Sequence, residues 1–304
     1  MTFENLNLRG EIKLNEPMAG HTSFRIGGNA DALVFPVDRR DLEALLKEIR
    51  AQHLPFIVLG GGTNLLVRDG GFRGVAISLK KMAAIKVVRE YRSLGGSFSV
   101  ITAEAGALLA KLLSFSVERG LTGLEFSTGI PGTVGGAVCM NAGTAQGEMG
   151  DIIDTVTLVS PDCELIVRHR DEMGFAYRTA NIPADHVVLE ATVVLRYGDV
   201  DQIKARVKQI MGGRKDRQPW GMPSAGSVFK NPLDESAGKL IESAGLKGLT
   251  VGGAQVSEKH ANFIVNKGNA TAADVLKLME LIREKVLETR RIRLEPEIKI
   301  IGED

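Results

Sequence analysis

Two glycine-dense segments carry the strongest chemical signal in the chain. The first, Gly60 to Leu66 (GGGTNLL), follows the apolar run Phe56 to Leu59, and the second, Thr128 to Gly143 (TGIPGTVGGAVCMNAG), is sixteen residues long. Glycines at 60, 61 and 62, and again at 129, 132, 135, 136 and 143, let backbone amides converge on an anion with no Cβ in the way. Two such loops suit a long ligand carrying a pyrophosphate. Neither is a common fingerprint: there is no GxGxxG and no GxxxxGK[ST], which argues against a P-loop. Tight turns in a β-rich domain are the competing reading, although so long a glycine-rich stretch needs a reason to be ordered.

Single residues say less. Ser227 lies in the small, polar segment PSAGSVFKNP (Pro223 to Pro232), with no histidine nearby and no GxSxG elbow, so a hydrolase triad lacks support. Alone it reads as a turn residue. Glu297, in LEPEIKII, stands at the start of an apolar run, as a solvated strand-edge residue would. Arg178 in GFAYRTA is unremarkable by itself, and His260 in SEKHANFIVN reads as a structural histidine before a strand-like run. Arg290, Arg291 and Arg293 follow a helix C-terminus, where cations suit the macrodipole. Cys139 and Cys163 form no CxxC and no Cys/His cluster, so neither a metal site nor a disulfide framework is expected.

The elements that would position these residues can be read from periodicity. Leu42, Leu45, Leu46 and Ile49 fall at helical spacing behind Asp38 as N-cap, and Phe56 to Leu59 is a buried strand. Residues 74–104 hold short β-rich pieces. Leu108, Leu109, Leu112, Leu113 and Val117 mark a second amphipathic helix, stopped by Gly120. The segment 128–143 has little periodicity of either kind. TVTLV and ELIVRH pair as a hairpin, and HVVLEATVVLRY is a long strand ended by Gly198 and Asp199. Beyond lie a helix around Ile203, Val207 and Ile210 and a longer one from Thr271 to Thr289, with Thr271 and Asp274 as a capping box. The mixed order predicts α+β rather than a doubly wound sheet.

Composition bounds the function class. The chain has 304 residues, with 38 basic and 37 acidic residues giving +1, so no global field points to nucleic acid or an anionic membrane. Apolar residues at 44% and charged residues at 25% are ordinary for a globular chain. No apolar run approaches bilayer length and the start, MTFENLNLRGE, lacks a secretory pattern, so a cytoplasmic protein is expected.

Taken in order, the segments HTSFRIGG (21–28), GGGTNLLVRDGGFRGVAI (60–77), GLEFSTGIPGTVGGAVCMNAG (123–143), GFAYR (174–178), RKDRQP (214–219), SAGSVFKNP (224–232), AGKLIESAGLKG (237–248), GGAQVSEKHANFIVN (252–266) and LEPEI (294–298) resemble the UDP-N-acetylenolpyruvoylglucosamine reductase (MurB) family, in its shorter subclass. Any one block is weak. The same order over nearly the whole chain is specific. The tract after Arg178, TANIP, departs from the Ser-Ile-Phe type of sequence in the family.

The resemblance implies an α+β fold: an FAD-binding module of the p-cresol methylhydroxylase/vanillyl-alcohol oxidase type in two subdomains (1–82 and 83–198), and a C-terminal α+β substrate-binding domain (199–304) whose last strand returns to the first subdomain. It implies FAD held by Arg25, by Gly60, Gly61, Gly62, Thr63, Asn64 and Leu65, and by Thr128, Gly129, Ile130, Pro131, Gly132, Val134, Gly135, Gly136, Ala137, Asn141, Ala142 and Gly143. The implied reaction is NADPH-dependent reduction of the enolpyruvyl ether of UDP-N-acetylglucosamine enolpyruvate to UDP-N-acetylmuramate, in peptidoglycan and cell-wall biogenesis. Hydride passes from NADPH to the flavin and then to the enolpyruvyl methylene carbon, C3, leaving charge at C2 and on the carboxylate. Arg178 matches the arginine that stabilises that charge, Ser227 the serine that protonates C2, and Glu297 the acid that completes the site. Glu297 either binds the carboxylate in protonated form or polarises Ser227 through water. The UDP diphosphate needs cations or amides, and Arg214, Lys215, Arg217, Gln218, Lys230 and Asn231 flank the serine block; by proximity to the matched motifs Arg214, Gln218 and Asn231 are favoured as substrate contacts, with Lys230 and His260 beside them. A monomer acting on a small molecule, with no nucleic acid, membrane or metal, is expected. Two other readings are an FAD oxidase of the same module acting on an alcohol or phenol, and a non-catalytic nucleotide sensor.

Overall fold

The computed structural model describes residues 8–304, so the first seven residues of the expected first subdomain lie outside the described residues. In chain order its elements are β1 (Glu11–Pro17), β2 (Asn29–Phe35), α1 (Arg39–Ala51), β3 (Phe56–Leu59), β4 (Leu65–Val67), β5 (Phe72–Ser78), β6 (Ile85–Ser93), β7 (Gly96–Glu104), α2 (Leu109–Glu118), β8 (Leu121–Thr122) and α3 (Val134–Cys139). There follow β9 (Gly143–Thr144), β10 (Gly147–Glu148), β11 (Ile153–Val159), β12 (Leu165–His169), β13 (Val187–Tyr197), α4 (Val200–Arg217), α5 (Ala237–Ser243), β14 (Thr250–Val251), β15 (Ala254–Val256), β16 (Ile264–Asn266), α6 (Ala272–Arg290) and β17 (Lys299–Ile301). They form two compact units. The first holds Leu33–Gly61 and Gly74–Gly212 with the described residues up to Lys13; the second holds Leu14–Ala32, Gly62–Arg73 and Gly213–Asp304.

In the first unit, α1 begins where Asp38 accepts the Asp41 amide at 3.1 Å, and it buries Leu42, Leu45, Leu46 and Ile49. Burial of each such side chain is worth about 1.5–3 kcal/mol, which holds the helix to its unit more firmly than propensity does. β3 runs parallel to β5, with Phe56 opposite Val75. The larger sheet is antiparallel in the order β12-β11-β13-β7-β6, and β8 also pairs with β13. The predicted hairpin is β11 with β12, and the predicted long strand is β13, whose Val187, Leu189, Ala191, Val193 and Leu195 are buried in strand alternation. The short pieces expected over 74–104 are longer than the pattern indicated. β6 is an exposed edge strand carrying Lys86, Arg89, Glu90 and Arg92, and those charges both hide it from an apolar search and blunt the edge.

The glycine-rich segment also departs from its reading: α3 lies within it. Two glycines in six residues weaken helix propensity by about 1 kcal/mol each. Tertiary hydrogen bonds compensate. Val134 N donates to Ala107 O at 2.8 Å, Gly135 N donates to Ala105 O at 2.9 Å, and Thr133 Oγ1 caps Gly136 N at 3.4 Å. A Cβ on Gly135 would lie 2.8 Å from Ala105 Cβ, so the glycine is there to let helix and strand end meet.

In the second unit, β14-β15-β16 form a small antiparallel sheet against which α6 packs, with α5 against α6. Phe24, Phe229, Leu240, Ile241, Val275, Leu278, Ile282 and Val286 fill the core. The predicted capping box is present, with Thr271 and Asp274 exchanging bonds of 3.1 and 3.0 Å. Asp69, from the turn after β4, adds a second cap by accepting Ala272 N at 2.8 Å and Ala273 N at 2.9 Å. β17 pairs in parallel with β4, Leu65 opposite Lys299.

Candidate active site

Within the first unit, Arg178 sits on a two-residue loop. Ala176 and Thr179 exchange two backbone hydrogen bonds of 3.1 Å, and Arg178 adopts the left-handed conformation at φ +60°. Its guanidinium lies over the Tyr177 ring, 5.0 Å from the centroid. The Ala176 carbonyl also accepts Asn141 Nδ2 at 3.1 Å, which ties the loop to the glycine-rich segment. In that segment Gly129 and Gly132 take φ of +75° and +121°, and the Gly132 carbonyl accepts Leu109 N. Ile130 N donates to Ser127 O, and Met149 N to Ala142 O.

Within the second unit, the backbone brings Ser227 and Glu297 together. Ser227 to Lys230 run between two neighbours: Ser227 bridges Phe263, Phe229 bridges Pro296, and Glu297 N donates to Val228 O at 2.7 Å. Asn262, buried, clamps this segment by donating to Phe229 O at 2.8 Å and accepting Phe229 N at 3.0 Å. The loop from Gly62 joins them, since Asn64 Nδ2 donates to Glu297 O at 3.1 Å and Asn64 O accepts Lys299 N at 3.0 Å. Ser23 completes the cluster. Its amide donates to Gly62 O at 3.0 Å and its hydroxyl to Ser224 O at 2.6 Å. That holds the exposed, left-handed Arg25 (φ +56°) beside the loop. A Cβ on Gly62, at φ +62°, would lie 2.0 Å from His21 O. Sequence reading missed Ser23, Asn262 and Asp69. Asn262 carried a signal, a polar residue inside the run ANFIV, which names burial but not its partner; Ser23 and Asp69 lie in polar, glycine-rich surroundings and carried none.

The implied substrate contacts in this unit are less concentrated. Arg214 lies in the last turns of α4, and Gln218 N closes that helix on Arg214 O at 2.9 Å. Lys230 pairs with Glu295 at 3.6 Å, and Asn231 Oδ1 accepts Ala237 N at 3.0 Å ahead of α5. His260 packs on Phe263 with ring centroids 4.8 Å apart, and its Nδ1 accepts Asn262 N at 3.3 Å. Burial holds its pKa below the ordinary imidazole range. It therefore offers a neutral Nε2–H donor rather than a cation. Of these residues, 230 and 231 continue the Ser227 segment and His260 is two residues from Asn262.

The residues present fit a flavin dinucleotide. A Cβ on Gly60 would come 2.8 Å from Thr133 Oγ1, so only glycine leaves that passage clear. The Thr128 hydroxyl is fully buried with no hydrogen-bond partner among the described residues. Leaving it so costs about 1–3 kcal/mol, a cost removed when a ligand acceptor reaches it. The α3 amides of Val134, Gly135 and Gly136 are engaged by the protein itself, so anion binding falls to other amides.

Sheet, glycine loops and buried orphan hydroxyl fit an α+β flavin-binding protein, and likeness to known proteins makes it an FAD-dependent oxidoreductase. The family model described as FAD binding domain matches residues 30–167, and that described as UDP-N-acetylenolpyruvoylglucosamine reductase, C-terminal domain, matches 218–301. The chain is 43% identical over 297 residues to the UDP-N-acetylenolpyruvoylglucosamine reductase of Geotalea uraniireducens, covering 98% of this chain and 96% of that one. It is 45% identical over 303 residues to that of Desulfosudis oleivorans, with 97% and 96% covered. The crystal structure of UDP-N-acetylenolpyruvylglucosamine reductase (MurB) from Thermus caldophilus superposes with a TM-score of 0.80 at 37% identity, over 97% of this chain and all of that one. The chain belongs to the UDP-N-acetylenolpyruvoylglucosamine reductase family.

Proposed function

We propose that Arg178, Ser227 and Glu297 carry the reduction of the enolpyruvyl ether of UDP-N-acetylglucosamine enolpyruvate to the lactyl ether of UDP-N-acetylmuramate, a step of peptidoglycan synthesis. NADPH and FAD are the cofactors. Bound FAD supplies a two-electron relay between NADPH and the vinyl carbon. Thr128 and the loops 60–65 and 128–143, Asn141 apart, hold it, with Arg25 beside them. The three expected segments, 1–82 and 83–198 for the flavin and 199–304 for the sugar nucleotide, describe the division of labour.

The chain's own groups then account for charge and proton. As C3 gains hydride, charge grows at C2 and spreads into the carboxylate. Arg178 meets it with a planar fork that stays charged at any working pH. In a site shielded from water such a fork stabilises growing charge more than it does in bulk solvent. Ser227 gives its proton to C2. A hydroxyl is a weak acid, but a carbanion-like carbon is a strong base, so position alone is required. Glu297 orders the carboxylate or the hydroxyl. Arg214, Gln218, Lys230, Asn231 and His260 hold the UDP moiety. The chain acts as a cytoplasmic monomer on this small molecule.

The observation that carries this reading is the Glu297 N to Val228 O bond of 2.7 Å, which supports an acid and a hydroxyl acting at one carbon. The test is Ser227→Ala. Anaerobic stopped-flow absorbance should show flavin reduction by NADPH nearly intact and reoxidation by the enolpyruvyl sugar nucleotide slower by several orders of magnitude. Equal loss in both halves would contradict the assignment.

A further inference from the structure

Asn141 lies within the glycine-rich segment, fully buried, in the left-handed region at φ +39°. Its side chain has no polar capacity to spare among its donors. One Nδ2 hydrogen goes to Glu148 Oε1 at 2.7 Å and the other to Ala176 O at 3.1 Å, while Oδ1 accepts Gly150 N at 2.9 Å. Ala176 is the residue whose carbonyl also closes the Arg178 loop by accepting Thr179 N. The loop thus has its own short ladder, and Asn141 anchors it from outside.

We infer that Asn141 is a positioning residue for Arg178: its amide fixes the two-residue loop that aims the guanidinium, and it acts on the reaction through that loop rather than by touching the flavin. The inference rests on the reading of Arg178 given above. The side-chain chemistry is restrictive. Asparagine tolerates a left-handed backbone and supplies two donors with one acceptor. Aspartate has the shape but would face both Glu148 and the Ala176 carbonyl with an acceptor.

The experiment uses the FAD-loaded enzyme in four forms: unmodified, Asn141→Asp, Arg178→Ala, and the double variant. Flavin reduction by NADPH and reoxidation by the enolpyruvyl sugar nucleotide are followed separately under anaerobic conditions. Asn141→Asp should leave reduction within about threefold and slow reoxidation roughly tenfold to a hundredfold, the range for a group misplaced by about 1 Å. In the Arg178→Ala background the same substitution should add nothing, because interacting residues are non-additive. A further loss there of similar size overturns the inference. So does slowed reduction or reduced flavin content, which would make Asn141 a flavin contact. Should Asn141→Asp fail to fold, judged by its melting curve, Asn141→Ser carries the same cycle. Near-unmodified reoxidation in Arg178→Ala itself refutes the role of Arg178 and the inference with it, a pattern distinct from all the others.

Discussion

Arg178 holds a left-handed backbone at φ +60°, which costs a residue with a side chain about 1 kcal/mol. Glycine would adopt it freely. Arg178→Gly should therefore melt at or above the unmodified temperature while losing reoxidation by the enolpyruvyl substrate; a lower melting temperature would show that the loop is not strained. At His260 the sign follows from burial. Its folded pKa lies below the unfolded value near 6.5, so the unfolded chain binds the proton first. Its contribution is complete above about pH 7.5 and is lost as pH falls through 6.5 towards the folded value. His260→Gln should lessen the drop in melting temperature between about pH 7.5 and 5.5, and an unchanged drop would contradict this. Residue types were legible in the sequence where they sat in recognisable blocks. The conformation of Arg178 was not, since nothing in GFAYRTA signals a positive φ.

Elements show the same split between local and distant causes. The cap of α6 was readable because Thr271 and Asp274 are three residues apart, whereas the second cap from Asp69 joins positions 203 apart. Helix α3 was hidden because its glycines serve a close approach to Ala105 rather than a loop. Two substitutions test the supports. Gly252 has φ +50°, and a Cβ there would lie 2.2 Å from Asp274 Oδ1. Gly252→Ala should cost about 1–3 kcal/mol by adding strain and displacing the cap, measured by urea unfolding. Asn262→Ala strands the amide and carbonyl of Phe229 and should cost about 2–5 kcal/mol, with a proportionate fall in activity. A loss under 1 kcal/mol would mean that solvent reaches that segment.

Over the whole molecule, the family and its two functional halves were legible because many weak blocks fell in one order. Strand partners could not be read from periodicity, because no local period encodes a partner hundreds of positions away. Net charge of +1 leaves little long-range attraction for a sugar diphosphate, so kcat/KM should depend weakly on salt. Stability should instead follow the cofactor by mass action. FAD at about a hundred times its Kd adds about 2.7 kcal/mol, and the melting temperature should rise with added FAD. A melting temperature indifferent to FAD would argue that the glycine loops and the Thr128 hydroxyl serve packing alone.

The parallel pairing of Lys299–Ile301 with Leu65–Val67 bears on biosynthesis. Asn64 meets Glu297 across 233 positions, so neither bond can form until the second partner has been translated. Until then the emerging polypeptide carries an unmatched strand edge at 65–67, a window in which chaperones and aggregation compete. A chain that stops short of Glu297 would deny the loop at Gly62 this support.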